Sequence, residues 1–158
     1  MSAAVAELLD LLRARGETVA TAESLTAGLL AATLTEEPGA SAVVRGGLIV
    51  YATDLKSELA GVDEELLVTG GAVQPEVAAQ LAVGARDRCG ASWGIGLTGV
   101  AGPDPQDGVE PGTVHLGFAG PDGPAVRTVH TVRLGGDRST IRAAAVRVAL
   151  EHLTALVR

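Results

Sequence analysis

Apolar residues recur along this chain in two alternating rhythms, and that alternation restricts the fold more than any other feature. Val5, Leu8, Leu9 and Leu12 keep the i, i+3, i+4, i+7 spacing of one helical face, predicting a helix over 3–15 ended by Gly16. Residues 17–22 (ETVATA) then read as a short strand, and Ser24 as the cap of a helix over 25–35 stopped by Pro38 and Gly39. Residues 43–51 contain VVRGGLIVY, a strand; Thr53 or Asp54 opens a short helix holding Lys56, and a second covers 63–68. Pro75 starts a helix with Ala78, Leu81, Ala82 and Ala85 on one face, and residues 92–98 (SWGIGLT) form a buried strand. After a loop over 99–112, residues 113–119 and 126–132 flank the turn Gly120-Pro121-Asp122-Gly123 as a hairpin, and a helix spans 138–157.

Helices alternating with strands, then a hairpin, predict an α/β fold: a mixed sheet between two helical layers, a three-layer α/β/α sandwich. No linker or repeat divides residues 1–158, so a single domain is expected. Tyr51, Trp93 and Phe118 are the only aromatics, so the core must be packed with Val, Leu, Ile and Ala. That scarcity, with a net charge of −7 and no basic run, argues against nucleic acid as a partner. A small phosphorylated ligand needs only a few arginines and remains compatible. The lone Cys89 allows no internal disulfide and points to a reducing compartment. No apolar stretch reaches membrane-spanning length, so a soluble, cytoplasmic protein with no membrane partner is expected.

Among twelve basic residues only Lys56 is lysine. Arginine replaces lysine freely where a solvated charge suffices, but not where the amine must lose its proton. A base is one reading of Lys56; a solvated surface lysine is the other. At the start of a helix the dipole disfavours its charge, though a useful shift also requires burial or a neighbouring arginine.

Three further segments can carry chemistry. In TAESLTAG, residues 21–28, Ser24 at a strand–helix junction reads either as a nucleophile beside free N–H groups or as an ordinary N-cap. In LTGVAGP, residues 97–103, the small residues Gly99, Ala101 and Gly102 after Thr98 permit close approach to a ligand, or make a plain glycine-rich connection. In GGDRSTIR, residues 135–142, Arg138 and Arg142 share a helix face and read as a phosphate clamp or as surface ion-pair partners. His115, His130 and His152 read as structural, the acidic residues as solvated faces, and no cluster has metal-ligand spacing.

Taken in order, TAESLTAG, GGLIVYATDLK, GAVQPEV, LTGVAGP, PGTV and GGDRSTIR resemble the CinA C-terminal domain family, the nicotinamide-nucleotide amidases, in its stand-alone form. The resemblance implies hydrolysis of the carboxamide of nicotinamide mononucleotide to nicotinic acid mononucleotide and ammonia, without metal or cofactor. It implies Ser24 as nucleophile and Lys56 as base, with Tyr51 and Thr98 beside them. Thr26, Gly99, Ala101, Gly102, Arg138 and Arg142 would bind a small phosphorylated pyridine nucleotide, and homo-oligomerisation is left open. Two departures stand out: Leu25-Thr26-Ala27-Gly28 where the family often has Cys-Thr-Gly-Gly, and Gln74 where it usually has serine. A nucleotide-binding module without catalysis and a hydrolase of another small amide are the alternatives.

Overall fold

The computed structural model describes residues 1–123 and 127–158. These form α1 (Ser2–Arg15), β1 (Val19–Glu23), α2 (Leu29–Thr35), a 3-10 turn (Ala40–Ala42), β2 (Val44–Ile49), α3 (Thr53–Ala60), α4 (Glu64–Gly70), α5 (Pro75–Cys89), β3 (Trp93–Gly99), β4 (Thr113–Ala119), β5 (Arg127–Arg133) and α6 (Arg138–Val157). The sheet has the order β2-β1-β3-β4-β5. β1 is parallel to both β2 and β3, whereas β3–β4 and β4–β5 are antiparallel. The mixed α/β sheet expected from the alternating pattern is present. The predicted start of the last strand at Val126 lies outside the described residues.

Two apolar cores, one on each face, produce the three layers. One joins Leu8 and Leu12 of α1, Leu30 and Leu34 of α2, and Ile141 and Leu150 of α6 to Ile95, Leu116 and Phe118 of the sheet. The other joins Ala60, Leu67, Val77, Leu81 and Ala85 to Ala20 and Ala22. Small residues do here what aromatics do elsewhere. A Cβ on Gly96 or Gly117 would collide with the carbonyl of Ala78, so their absence lets α5 lie directly on β3 and β4.

The order places β1 between two parallel neighbours. The chain leaves β1 through α2 on one face and reaches β3 through α3, α4 and α5 on the other. The connections therefore part at the carboxyl end of β1, which is where open parallel sheets leave a crevice for ligands.

One boundary differs instructively. The helix predicted from Leu25 begins only at Leu29, because Ala27 and Gly28 take left-handed backbone with φ of 47° and 96°. Ser24 is not its cap. The carboxylate of Glu23 accepts the N–H groups of Leu30 at 2.8 Å and Ala31 at 3.0 Å instead.

Candidate active site

Ser24 is the first residue beyond β1, and its N–H donates to the carbonyl of Leu97 on β3 at 3.1 Å. The turn that follows closes on itself: Ala27 N–H donates to Ser24 O, and Leu29 N–H to Thr26 O, each at 3.0 Å. Leu25 and Thr26, between them, donate their N–H groups to no acceptor among the described residues. Thr26 is wholly buried, with its hydroxyl unpartnered among the described residues, and it does not border the cleft over Ser24, so the expectation that it contacts a ligand directly is not met.

Across from this turn, α3 delivers Lys56. Ala52 is the N-cap and Thr53 the first helical residue, so Lys56 falls at the end of the first turn. Its side chain is 1% exposed, which overturns the reading of a solvated surface lysine. Nζ contacts Ser24 Oγ at 3.0 Å and donates to the carbonyls of Val50 at 2.8 Å and Tyr51 at 3.2 Å. Those carbonyls belong to the chain just past β2, held in place by Val50 N–H on Glu23 O at 2.9 Å. Burial lowers the Lys56 pKa from 10.5 to about 8, against the opposing attraction of Asp107 and Asp54. The shift therefore comes from desolvation, with no arginine among its causes.

A neutral amine has two N–H bonds and one lone pair. With both protons taken by Val50 O and Tyr51 O, the lone pair of Lys56 is left for the hydroxyl proton of Ser24. The two carbonyls thus orient the amine so that, when neutral, it can accept that proton.

The cleft over Ser24 has a volume of about 120 Å³ and is bounded by Ser24, Leu25, Tyr51, Gly99, Ala101, Gln106 and Arg138. A wider depression of about 490 Å³ beside α3 and α5, lined by Glu76, Gln80 and Arg127 among others, contains no such serine–lysine pair. Arg138 is brought to the mouth of the cleft by the start of α6. It donates to Tyr51 Oη at 3.0 Å and to the Gly102 carbonyl at 2.9 Å. Gly102 itself does not border the cleft; its carbonyl anchors Arg138.

Thr98 and Arg142 sit differently from the expectation of direct contact. The Thr98 hydroxyl, 1% exposed, donates to the Ala72 carbonyl at 2.7 Å and ties the α4–α5 connection to β3. Arg142 donates from Nε to Leu25 O at 2.9 Å and from Nη2 to Thr26 O at 3.1 Å. Its guanidinium therefore grips the turn after Ser24, so the two arginines do not form one clamp.

Three residues escaped the sequence reading. Glu23, read with the solvated acids, is 1% exposed and also accepts from Thr21 Oγ1 at 3.1 Å. Its place before a helix start was the available signal, since carboxylates favour helix N-termini. Asp107, at a φ of 50°, accepts from Ala72 N–H at 3.3 Å and acts on Lys56 through its charge. Gln106 borders the cleft, and nothing local in the sequence marks it.

The departures from the family pattern also find their places. Leu25 is buried in the core beneath α2 and α6. Gln74 donates from Nε2 to the carbonyls of Leu66 and Gly71, each at 2.8 Å, and so belongs to the α4–α5 connection. Among the described residues, no group of three or more His, Cys, Asp or Glu side chains could hold a metal ion, and no helix is long and apolar enough to cross a membrane.

The chain is similar to a CinA-like protein of Frankia casuarinae, 53% identical over 144 residues that cover 91% of this chain and 33% of that protein. A CinA-like protein of Anaeromyxobacter dehalogenans is 47% identical over 157 residues, covering 96% of this chain and 38% of that one. The chain thus spans about a third of the length of these relatives. Among solved structures, the competence/damage inducible protein CihA of Agrobacterium tumefaciens superposes with a TM-score of 0.94 at 39% identity, covering 99% of this chain and 95% of that one. A CinA superfamily protein of Klebsiella pneumoniae gives 0.93 at 28% identity, covering 99% and 96%. With the family described as CinA C-terminal domain matching residues 1–157, this chain belongs to the CinA C-terminal domain family.

Proposed function

We propose that this chain is an amidohydrolase that converts nicotinamide mononucleotide to nicotinic acid mononucleotide and ammonia through a Ser24–Lys56 dyad. The observation that carries the reading is the buried Lys56 amine, 3.0 Å from Ser24 Oγ, with its remaining hydrogen-bonding capacity turned to two carbonyls. A lysine made costly to charge beside a serine that needs a base supports nucleophilic acyl transfer.

In this reading Ser24 Oγ attacks the carboxamide carbon as Lys56 takes its proton, and the carbonyl oxygen becomes an oxyanion facing the N–H group of Leu25. The C–N bond breaks as Lys56 returns the proton to the leaving ammonia. Water then adds to the acyl-enzyme with Lys56 again as base, and the carboxylic acid leaves Ser24. A cleft of about 120 Å³ is far below the roughly 300–1,000 Å³ of sites that enclose whole ligands. It suits one planar ring bearing an amide, the ribose phosphate lying outside near Arg138 and Tyr51. The cationic pyridinium also suits a chain of net charge −7.

The test is ammonia release from nicotinamide mononucleotide by wild type, Ser24→Ala and Lys56→Arg. Wild-type turnover with at least about a thousandfold loss in each folded variant is expected, as for other activated nucleophiles. Robust turnover by either variant would remove the dyad, and a wild type inert on the nucleotide but active on another small amide would remove the substrate.

A further inference from the structure

Resting on the hydrolase reading, we propose that Arg142 is a positioning residue that holds the turn after Ser24, and with it the Leu25 N–H, in place as the oxyanion site, instead of clamping the substrate's phosphate. Its Nε and Nη2 are bonded to Leu25 O and Thr26 O, the two successive carbonyls directly after the nucleophile. In a planar trans peptide the C=O and the next N–H point in opposite directions. Fixing Thr26 O toward Arg142 therefore turns Ala27 N–H away from it, onto Ser24 O.

The peptide after Ser24 is fixed by the same logic. Ser24 O accepts Ala27 N–H at 3.0 Å, which sets the orientation of Leu25 N–H. Thr26 O is held twice, by Arg142 and by Leu29 N–H. The result is a Leu25 N–H without a protein acceptor among the described residues, on a turn in which the carbonyls of Ser24, Leu25 and Thr26 are held. Leu25 also borders the cleft with Ser24. A cation on the carbonyl side polarises the peptide and strengthens its N–H as a donor.

The two arginines of the α6 start thus divide the work. Arg138, exposed at the mouth and bonded to Tyr51 Oη and the Gly102 carbonyl, is the one that borders the cleft and can face an anion; Arg142, half-buried, reaches backbone from a distance of more than a hundred residues in sequence.

The experiment compares wild type, Arg142→Met, Arg142→Lys and Arg138→Met with two readouts. The first is kcat and KM on nicotinamide mononucleotide and on its phosphate-free riboside. The second is the rate at which a small, phosphate-free fluorophosphonate labels Ser24, followed by mass spectrometry. In that reaction the Oγ–P bond forms, P–F breaks, fluoride leaves, the hydroxyl proton passes to Lys56, and the phosphoryl oxygen takes the oxyanion's place.

Arg142→Met is expected to lower kcat on both substrates and the labelling rate by about a hundredfold, the loss typical of a missing oxyanion donor, with KM nearly unchanged. Arg142→Lys keeps the charge but cannot bridge two carbonyls in a fixed fork, and should lose about tenfold at an unchanged melting temperature. Arg138→Met should raise KM for the nucleotide alone. If Arg142→Met raises KM for the nucleotide and spares both the riboside and the labelling, it is an anion clamp and the proposal fails. Should Arg142→Met not fold, full-rate labelling of folded Arg142→Lys overturns it equally. Wild type that labels at Ser24 but releases no ammonia discards the substrate while the labelling rates still decide Arg142. No labelling of wild type discards both.

Discussion

Lys56 Nζ stands 3.0 Å from Ser24 Oγ although 32 positions of sequence separate them. Adjacent strands bring them there: Ser24 follows β1, and Lys56 comes from the helix after the edge strand β2, which pairs in parallel with β1. What joins them is the strand end between, where Glu23 O fixes Val50 and the carbonyls of Val50 and Tyr51 fix the amine. The same burial that brings the amine to the serine also weakens its hold on a proton.

In the proposed mechanism the neutral amine acts as the base, so kcat/KM for amide hydrolysis should rise with pH through an apparent pKa of about 8 and level off above it. Asp107 holds the lysine pKa up, so Asp107→Asn should move that limb toward neutral pH. It should increase kcat/KM at pH 7 about two- to threefold. A pH–rate profile of both proteins checks the direction, and an unmoved or alkaline-shifted limb would contradict it.

Stability should also rise with pH, over a higher range. The folded-state pKa lies below the unfolded value of 10.5, so the charged form is penalised at and below neutral pH and the penalty fades between about 8 and 10.5. The stability of wild type relative to Lys56→Met should therefore improve by roughly 2–3 kcal/mol between pH 7 and pH 10. Denaturant unfolding of both proteins at the two pH values measures this difference.

Ala27 is exposed and has a φ of 47°, a region that a Cβ makes unfavourable. This is where the family often has glycine. Ala27→Gly should stabilise by about 0.5 kcal/mol, relief of strain slightly exceeding the entropy glycine adds to the unfolded chain. Ala27→Val should destabilise by more than about 1 kcal/mol because a β-branched residue fits that region worse. Thermal melts of the pair separate the backbone effect from packing, as the side chain has open solvent beside it.

Glu23→Gln removes charge from a carboxylate that accepts two helix N–H groups and one hydroxyl. The amide keeps one acceptor and sets an N–H₂ against another donor, so a loss of about 2–3 kcal/mol is expected from unfolding curves. Activity should fall with it, because Glu23 also anchors the turn that carries Ser24.

Much of this was legible in the residues. Strong periodicity in α1, α5 and α6 settled their existence, and the alternation with short apolar runs settled the mixed sheet. The unique lysine and the ordered motifs singled out Ser24 and Lys56. The start of α2 was misread because apolar spacing continues through Leu25 and Leu29–Leu30, whereas left-handed backbone at Ala27 and Gly28 breaks the helix between them.

Local pattern thus determined which elements form and which residues are chemically unusual, because propensity and periodicity act over a few neighbouring residues. Only the tertiary structure decided what those residues touch. It buried Glu23 under α2, gave Arg142 to the carbonyls of Leu25 and Thr26, and drew Thr98 away to Ala72. It also supplied the desolvation that sets the Lys56 pKa, since the dielectric around a side chain is made by residues far away in sequence.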